Sequence, residues 1–312
     1  MLAGGIGSGK KDDSLKGEPQ KGERIIVMGG DNYRIGMGGG AVSSVATGEY
    51  GNTIELNAVQ RANPEMQKRV YNAIRALAEM DKNPITSIHD HGAGGHLNSI
   101  SELVEASGGK VYMTELPVGD PTLSDKEIIG NESQERMGLL IREEDLPLLK
   151  RIAERERAPV FDVGATTGDQ QFSFINKDEK KPFDLHLAYL FGNPPETILK
   201  DKSLPVEFDD PEYNPRGLED YIETVLQLEA VACKDWLTNK VDRAVTGRIA
   251  KQQCAGTVQL PLNNLGTVAL DYKGEKGIAT AIGHAPVAGL IDPAAGSMLS
   301  VAESLTNIIW AP

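Results

Sequence analysis

The chain has 312 residues, 40% of them hydrophobic, and 32 basic against 45 acidic side chains, a net charge of −13. That size can bury one large core or two smaller ones, and with ~100 to 200 residues per domain two are expected. The acidic balance argues against a nucleic-acid or anionic-membrane partner, the lone pair Cys233 and Cys254 forms no metal-like spacing or disulfide framework, and without an export-type segment or ~18 consecutive apolar residues we expect a cytoplasmic protein.

In chain order, "ERIIVMGGD" reads as a short buried strand ending in a turn. "NPEMQKRVYNAIRALAEMD" follows with Asn63 as N-cap, Pro64 at the first helical position and a stripe of Met66, Val70, Ala73, Ile74 and Leu77, which predicts a helix. "ITSIHD" is strand-like, and the run "GAGG" hands over to a helix in "HLNSISELVEASGG", with Leu97, Ile100, Leu103 and Val104 at helical spacing and Gly108 as the stop. "LPLLKRIAERERAP" predicts a helix, and "PVFDVGATT" and "QQFSFI" predict strands. Alternating glycine turns, strands and helices make residues 1–192 an α/β unit.

Prolines and acids crowd residues 193–217 with little periodicity, as in a linker. Beyond it "GLEDYIETVLQLEAVACKDWL" is helical, with Leu218, Ile222, Val225 and Leu226 on one face. "GTVQLPLNN", "TVALDY" and "GIATAIG" are strand candidates, and a helix runs to Trp310 in "AAGSMLSVAESLTNIIWAP". The apolar face of that last helix, with Leu299, Val301, Leu305 and Ile308, lacks partner strands. We therefore expect a piece of a longer protein.

Four stretches carry the chemical signals. "GGIGSGKK" matches a P-loop at Gly4, Gly9 and Lys10, but Lys11 stands where the magnesium-binding Ser or Thr belongs and no strand precedes it, so we read it as a decoy. "SIHDHGAGGHLNS" admits a zinc site, a bland junction or a ligand loop. Zinc needs three or four converging ligands, and we expect His89 and His91 to face different sides. In the ligand reading Asp90 is the hard oxygen donor that magnesium prefers, and Gly92, Gly94 and Gly95 let backbone approach a phosphate at the helix N-terminus. "YRIGMGGGAVSS" offers converging amides plus Ser43 and Ser44, or merely a tight turn. "NESQERMG" is a ligand-contacting run or a solvated turn.

Together "IGMGGGAVSSVATGE", "VQRANPEMQKR", "IHDHGAGGHLNSISELV" and "NESQERMGLLI", in this order and spacing, resemble the phosphoribosylformylglycinamidine synthase family of the large single-chain kind, in the aminoimidazole ribonucleotide synthetase superfamily. The resemblance runs from "MLAGGIG" to "NIIWAP". It implies an α/β (α+β) fold: a first synthetase C-terminal-like domain (1–192), a linker (193–217) and part of a second N-terminal-like domain (218–312). The remaining domains of the same polypeptide, including the first N-terminal-like domain with its catalytic histidine and the glutaminase domain, would lie outside this chain, which alone would be inactive. The implied reaction is ATP-dependent: the amide oxygen of formylglycinamide ribonucleotide is phosphorylated, and ammonia from glutamine displaces phosphate to give the amidine.

Residue by residue, the resemblance implies that Gln60, Glu132, Ser133 and Gln134 bind substrate. It makes Gly38, Gly39, Gly40, Gly92, Gly94 and Gly95 the phosphate or nucleotide loops. Asp90 becomes a magnesium ligand, with Glu303 and Asn307 holding the magnesium of an auxiliary ATP or ADP. Asn264 stands where relatives have an aspartate, a departure in that auxiliary site. His91 departs from the usual apolar residue there, and we expect His89 and His91 to be passengers. The other readings are a non-catalytic docking module, or another synthetase or kinase of the superfamily.

Overall fold

The computed structural model describes residues 9–36, 42, 45–46, 48–58, 63–133, 135–200, 202, 207, 209–210, 212–214, 217–228, 231–232, 247–252, 254, 256–259 and 263–312. The chain divides into two compact units, residues 1–197 and 198–312.

In the first unit seven strands, β1 (Arg24–Met28), β2 (Ile85–Asp90), β3 (Gly109–Tyr112), β4 (Met137–Ile141), β5 (Val160–Thr166), β6 (Gln171–Ile175) and β7 (Phe183–His186), form one sheet. Its order is β2-β4-β1-β5-β3-β6-β7. Neighbours are antiparallel except β3 and β6, which are parallel. The helices are α1 (Asn52–Ala58), α2 (Pro64–Ala78), α3 (Gly95–Leu103), α4 (Asp125–Ile129), α5 (Leu146–Glu156) and α6 (Leu187–Phe191).

Strand β1 is apolar without alternation because it is covered on both faces. Ile25 and Val27 pack into a cluster with Ile100 and Leu103 of α3 and with Val111, Phe172 and Phe174. Ile26 and Met28 point the other way, against Val70, Ala73 and Leu77 of α2 and Leu149 and Ile152 of α5. Burying each such side chain stabilises by about 1.5–3 kcal/mol, so this strand is the mechanical centre of the unit. Helix α2 starts as its sequence predicts: Asn63 caps it by accepting from the Met66 amide at 3.1 Å, with Pro64 next. Helix α3 ends at Leu103, before Gly108, whose φ of +86° serves a later turn. Strands β3, β4 and β7 were not read from the sequence.

The second unit contains α7 (Leu218–Gln227), β8 (Ile249–Lys251), β9 (Leu265–Ala269), β10 (Gly277–Ala281), α8 (Pro286–Ile291) and α9 (Pro293–Ile308), with an antiparallel sheet in the order β10-β9-β8. "TVALDY" and "GIATAIG" overlap β9 and β10. Gly256–Gln259 form a turn rather than the start of a strand, and residues 260–262 lie outside the described residues. Helix α7 stops at Gln227, with residues 229–230 and 233–237 of the expected longer helix outside the described ones. Helix α9 ends at Ile308, and Trp310 sits in a turn. The apolar face foreseen for α7 exists but is uncovered: Leu218, Ile222, Val225 and Leu226 are each at least 50% exposed.

Candidate functional site at the β2–α3 turn

Strand β2 ends at Asp90, and the chain turns through His91–Gly94 into α3. The turn needs left-handed backbone at Gly94 (φ +85°) and Gly95 (φ +56°), conformations that favour glycine. A Cβ on Gly95 would also collide with the Asn131 carbonyl oxygen. Asp90 is exposed, and its Oδ1 would lie 3.0 Å from a Cβ on Gly92, so the carboxylate folds back over the turn into space that the glycine leaves open. The Gly95 amide donates to Gly92 O at 2.9 Å. The amides of Gly92, Ala93 and Gly94 have no acceptor among the described residues.

Two other segments close on this turn. The His91 amide donates to Arg136 O at 3.1 Å, and Ser133 donates to His91 O at 2.8 Å. Asn131 Nδ2 donates to Tyr33 O and Ile35 O at 2.7 and 2.6 Å, and the Glu132 amide donates to Gly36 O at 2.9 Å. "NESQER" is therefore no solvated turn: Asn131, Glu132, Ser133, Glu135 and Arg136 are all buried. Residues 30–36, 90–95, 131–133 and 135–136 meet at one corner of the sheet.

The histidines of this corner are tied into its hydrogen bonding. His91 and His96 are fully buried, with His91 Nε2 3.0 Å from His96 Nδ1. His96 Nε2 faces Asn32 Nδ2 at 3.2 Å and Arg136 Nη1 at 3.4 Å. A guanidinium can only donate, so His96 Nε2 accepts, its Nδ1–H donates to His91 Nε2, and His91 carries its own proton on Nδ1. Both rings are then neutral. Burial, reinforced by the Arg136 charge, holds both well below the ordinary histidine pKa. His89 is separate, with Nε2 2.6 Å from Glu102 Oε2 and Nδ1 2.7 Å from Asp90 O. His89 and His91 do face different sides, but strand alternation would put residues two apart on one face. They separate because the strand ends between them.

Of the other expected site residues, Glu132 and Ser133 are buried beside Asn131, while Gln60, Gly38, Gly39, Gly40 and Gln134 lie outside the described residues. In the second unit Glu303 Oε2 accepts from the His284 amide at 2.7 Å and Asn307 Nδ2 donates to Ile282 O at 2.9 Å. Both thus grip the chain just past β10, near the Asn264 carbonyl, which accepts from Ile282. Among the described residues no three His, Cys, Asp or Glu side chains are grouped to hold a metal. The P-loop decoy has a structural use: Lys10 Nζ donates to Ala78 O and Met80 O, neutralising the carbonyl end of α2. A cavity of about 600 Å³ opens at the opposite end of β2, around Ile85, Glu23 and Arg142, away from Asp90.

Sequence reasoning passed over His96 and left Arg136 without a role. The available signal was two histidines flanking a glycine turn, which local spacing alone could not join to an arginine 40 residues further on.

Comparison with known proteins supplies a context. The family model for AIR synthase related protein, C-terminal domain, matches residues 20–177, and that for the FGAR-AT PurM_N-like domain matches residues 233–312. The chain is 40% identical to phosphoribosylformylglycinamidine synthase of Homo sapiens and 39% identical to that of Dictyostelium discoideum, each over 100% of this chain. It spans about a quarter of the length of these relatives, 25% and 24%. Among solved structures, T. maritima PurL complexed with FGAR is similar with a TM-score of 0.65 at 21% identity, over 94% of this chain and 44% of that one. PurLQS from Thermotoga maritima gives 0.66 at 18%, over 94% and 42%. At those identities the structures speak for the fold.

Proposed function

The chain belongs to the AIR synthase related protein, C-terminal domain family, and from that premise we propose that it is part of a phosphoribosylformylglycinamidine synthase. The parent would use ATP and glutamine to convert formylglycinamide ribonucleotide to formylglycinamidine ribonucleotide in purine biosynthesis, giving ADP, phosphate and glutamate. Support comes from about 40% identity along the entire chain to enzymes of that name. The domain reading is a C-terminal-like domain at 1–192, a linker at 193–217 and part of a second N-terminal-like domain at 218–312. The chain's partners are then the remaining domains of the polypeptide, including the glutaminase domain, and we place the protein in the cytoplasm. Among the described residues no helix is long and apolar enough to cross a membrane.

The observation that carries the site reading is the turn: an exposed carboxylate folded over Gly92, beside the amides of Gly92, Ala93 and Gly94 at the head of α3. The donors suit the ligand. Asp90 offers a hard oxygen for magnesium, and the uncommitted amides, with the positive end of the helix, suit a phosphate oxygen. Magnesium, when bound, neutralises charge on the transferring phosphoryl group. In this reading Asp90 holds the ion, and Gly92 and Gly94 expose backbone donors. Gly95 shapes the turn by its own bond to Gly92, and Glu132, Ser133, Gln134 and Gln60 contact the ribonucleotide. Gly38, Gly39 and Gly40 form the second phosphate loop. Glu303 and Asn307 hold the auxiliary magnesium while orienting the segment 282–284.

The test is an assay of the full-length polypeptide for phosphate release that depends on both formylglycinamide ribonucleotide and glutamine or ammonia, with the present chain alone inactive. A full-length protein that turns over ATP with another acceptor, and does not bind formylglycinamide ribonucleotide, would overturn the reading.

A further inference from the structure

We propose that His91, His96 and Arg136 on the inner side of the β2–α3 turn, and His89 with Glu102 on the outer side, are positioning residues that fix the turn in its ligand-ready shape. This deepens the reading of the turn as a metal and phosphate corner and rests on it only where ligand binding is concerned.

The turn is tied across on both faces. On the inside His91, at its start, bonds through Nε2 to Nδ1 of His96, on the first turn of α3, and the rings meet edge to face with centroids 4.8 Å apart. Arg136 closes the circuit: its carbonyl accepts from the His91 amide, its Nη1 faces His96 Nε2, and its Nη2 is anchored on Gly30 O at 2.9 Å. On the outside His89 joins the end of β2 to Glu102 on α3, and Asn98 Nδ2 holds the other carboxylate oxygen at 3.0 Å. His89 Nδ1 also fixes the Asp90 carbonyl. What these ties leave uncommitted is the Asp90 carboxylate and the amides of Gly92, Ala93 and Gly94.

A bland packing role fits poorly. The buried His91 Nδ1 has no partner, a cost that an apolar pair of the same volume would avoid. What the imidazole pair adds is a fixed angle and spacing between the ends of a turn that contains two left-handed glycines and is otherwise easily deformed.

The decisive experiment compares the wild-type chain with His89→Ala, Glu102→Gln, His96→Leu and the conservative His96→Gln, using amide hydrogen exchange and Mn²⁺ titration followed by water-proton relaxation. We expect exchange at residues 92–96 to quicken by about tenfold or more in His89→Ala and His96→Leu, while β1 and β4 amides stay unchanged. Mn²⁺ affinity should fall about 3- to 10-fold in both, at an unchanged thermal midpoint in the surface variant His89→Ala and a lowered one in His96→Leu, whose buried partners lose their bonds. His96→Gln should restore part of the protection and the affinity, as expected where a turn is pre-organised for its ligand. Unchanged exchange at 92–96 in folded variants would overturn the proposal. If His96→Leu does not fold, His89→Ala and Glu102→Gln decide the same point. If Mn²⁺ binding is insensitive to Asp90→Asn, the metal reading of the turn fails, and the exchange arm still decides whether these residues position it.

Discussion

Arg136 Nη1 lies 3.4 Å from His96 Nε2, and this contact, which can run only from guanidinium to imidazole, fixes the proton positions of two buried histidines. Burial holds both rings well below the ordinary value of 6.5. A histidine depressed in the folded state takes up its proton on unfolding, so the unfolded chain binds more protons in acid. Stability present above pH 6.5 is therefore lost as pH falls below it, at up to about 1.4 kcal/mol per pH unit for each ring. Urea midpoints followed by circular dichroism should drop more steeply between pH 7 and 5.5 for the wild-type chain than for the His91→Gln, His96→Gln double variant. Parallel curves would refute the assignment.

Gly95 and Gly92 stand three residues apart and answer to different constraints. Gly95→Ala sets a Cβ against the Asn131 carbonyl at a φ of +56° and should destabilise the first unit by roughly 2–4 kcal/mol. Gly92→Ala has only the movable Asp90 carboxylate to displace, so it should fold with a midpoint near wild type while weakening divalent-ion binding. Thermal melts of the two variants, with Mn²⁺ titration of the second, check the contrast.

What was legible in the sequence was local. The Asn63 cap, Pro64 and the α2 stripe follow from spacing, and Asp90 at a strand end before glycines follows from chain order. The order of strands was not legible: β4 inserts between β1 and β2, which carries Arg136, at its edge, onto the His91–Gly95 turn. Periodicity describes one element at a time, and the partner of a buried histidine is decided by sheet topology. That is why His96 and Arg136 were passed over and "NESQER" could be taken for a solvated turn. In the second unit the apolar face of α7 was legible from the sequence. That it stays exposed was not, since burial depends on what packs against it.

The two units should differ in stability. Both continuous clusters of buried apolar residues, around β1, belong to residues 1–197. In residues 198–312 the buried apolar side chains among the described residues are Cys254 and Leu265, while Leu290, Met298 and Leu305 are 87%, 68% and 57% exposed. With less apolar area removed from water, amides of α7 and α9 should exchange well before those of β1 and β4. Exchange mass spectrometry on a demonstrated monomer reads this directly. Equal protection in both units would contradict it.

Glu303 offers a separation of charge from geometry. A glutamine there keeps an oxygen to accept from the His284 amide at 2.7 Å, so Glu303→Gln should leave the exchange of residues 282–284 as it is. If Glu303 also holds magnesium, the same variant should abolish any protection of the His284 amide by added Mg²⁺. Asn307→Ala, which deletes the donor to Ile282 O, should instead quicken exchange with or without the ion. Magnesium protection that survives Glu303→Gln would remove this residue from the auxiliary site.

Asp90 carries the most direct functional test. Its carboxylate is exposed at the strand end, and its backbone pairs with Met137 of β4, so Asp90→Asn alters neither packing nor sheet hydrogen bonds and should leave the melting curve in place. It removes a full charge from the shell of a divalent ion. In the full-length protein this should lower turnover by ~10- to 1000-fold, partly recovered by excess magnesium or by manganese, because the ion neutralises charge on the transferred phosphoryl group. His91→Leu makes the contrasting case: it removes the acceptor for the buried His96 Nδ1–H, should cost stability of about 1–3 kcal/mol, and should lower turnover in the folded protein only through a looser turn, by less than Asp90→Asn does. Steady-state rates against magnesium concentration, set beside melting temperatures of both variants, separate the two effects. Should Asp90→Asn keep wild-type turnover and metal dependence while a fully folded His91→Leu abolishes activity, the carboxylate would not be the metal's ligand, and the chemistry of this turn would have to be sought in its histidines.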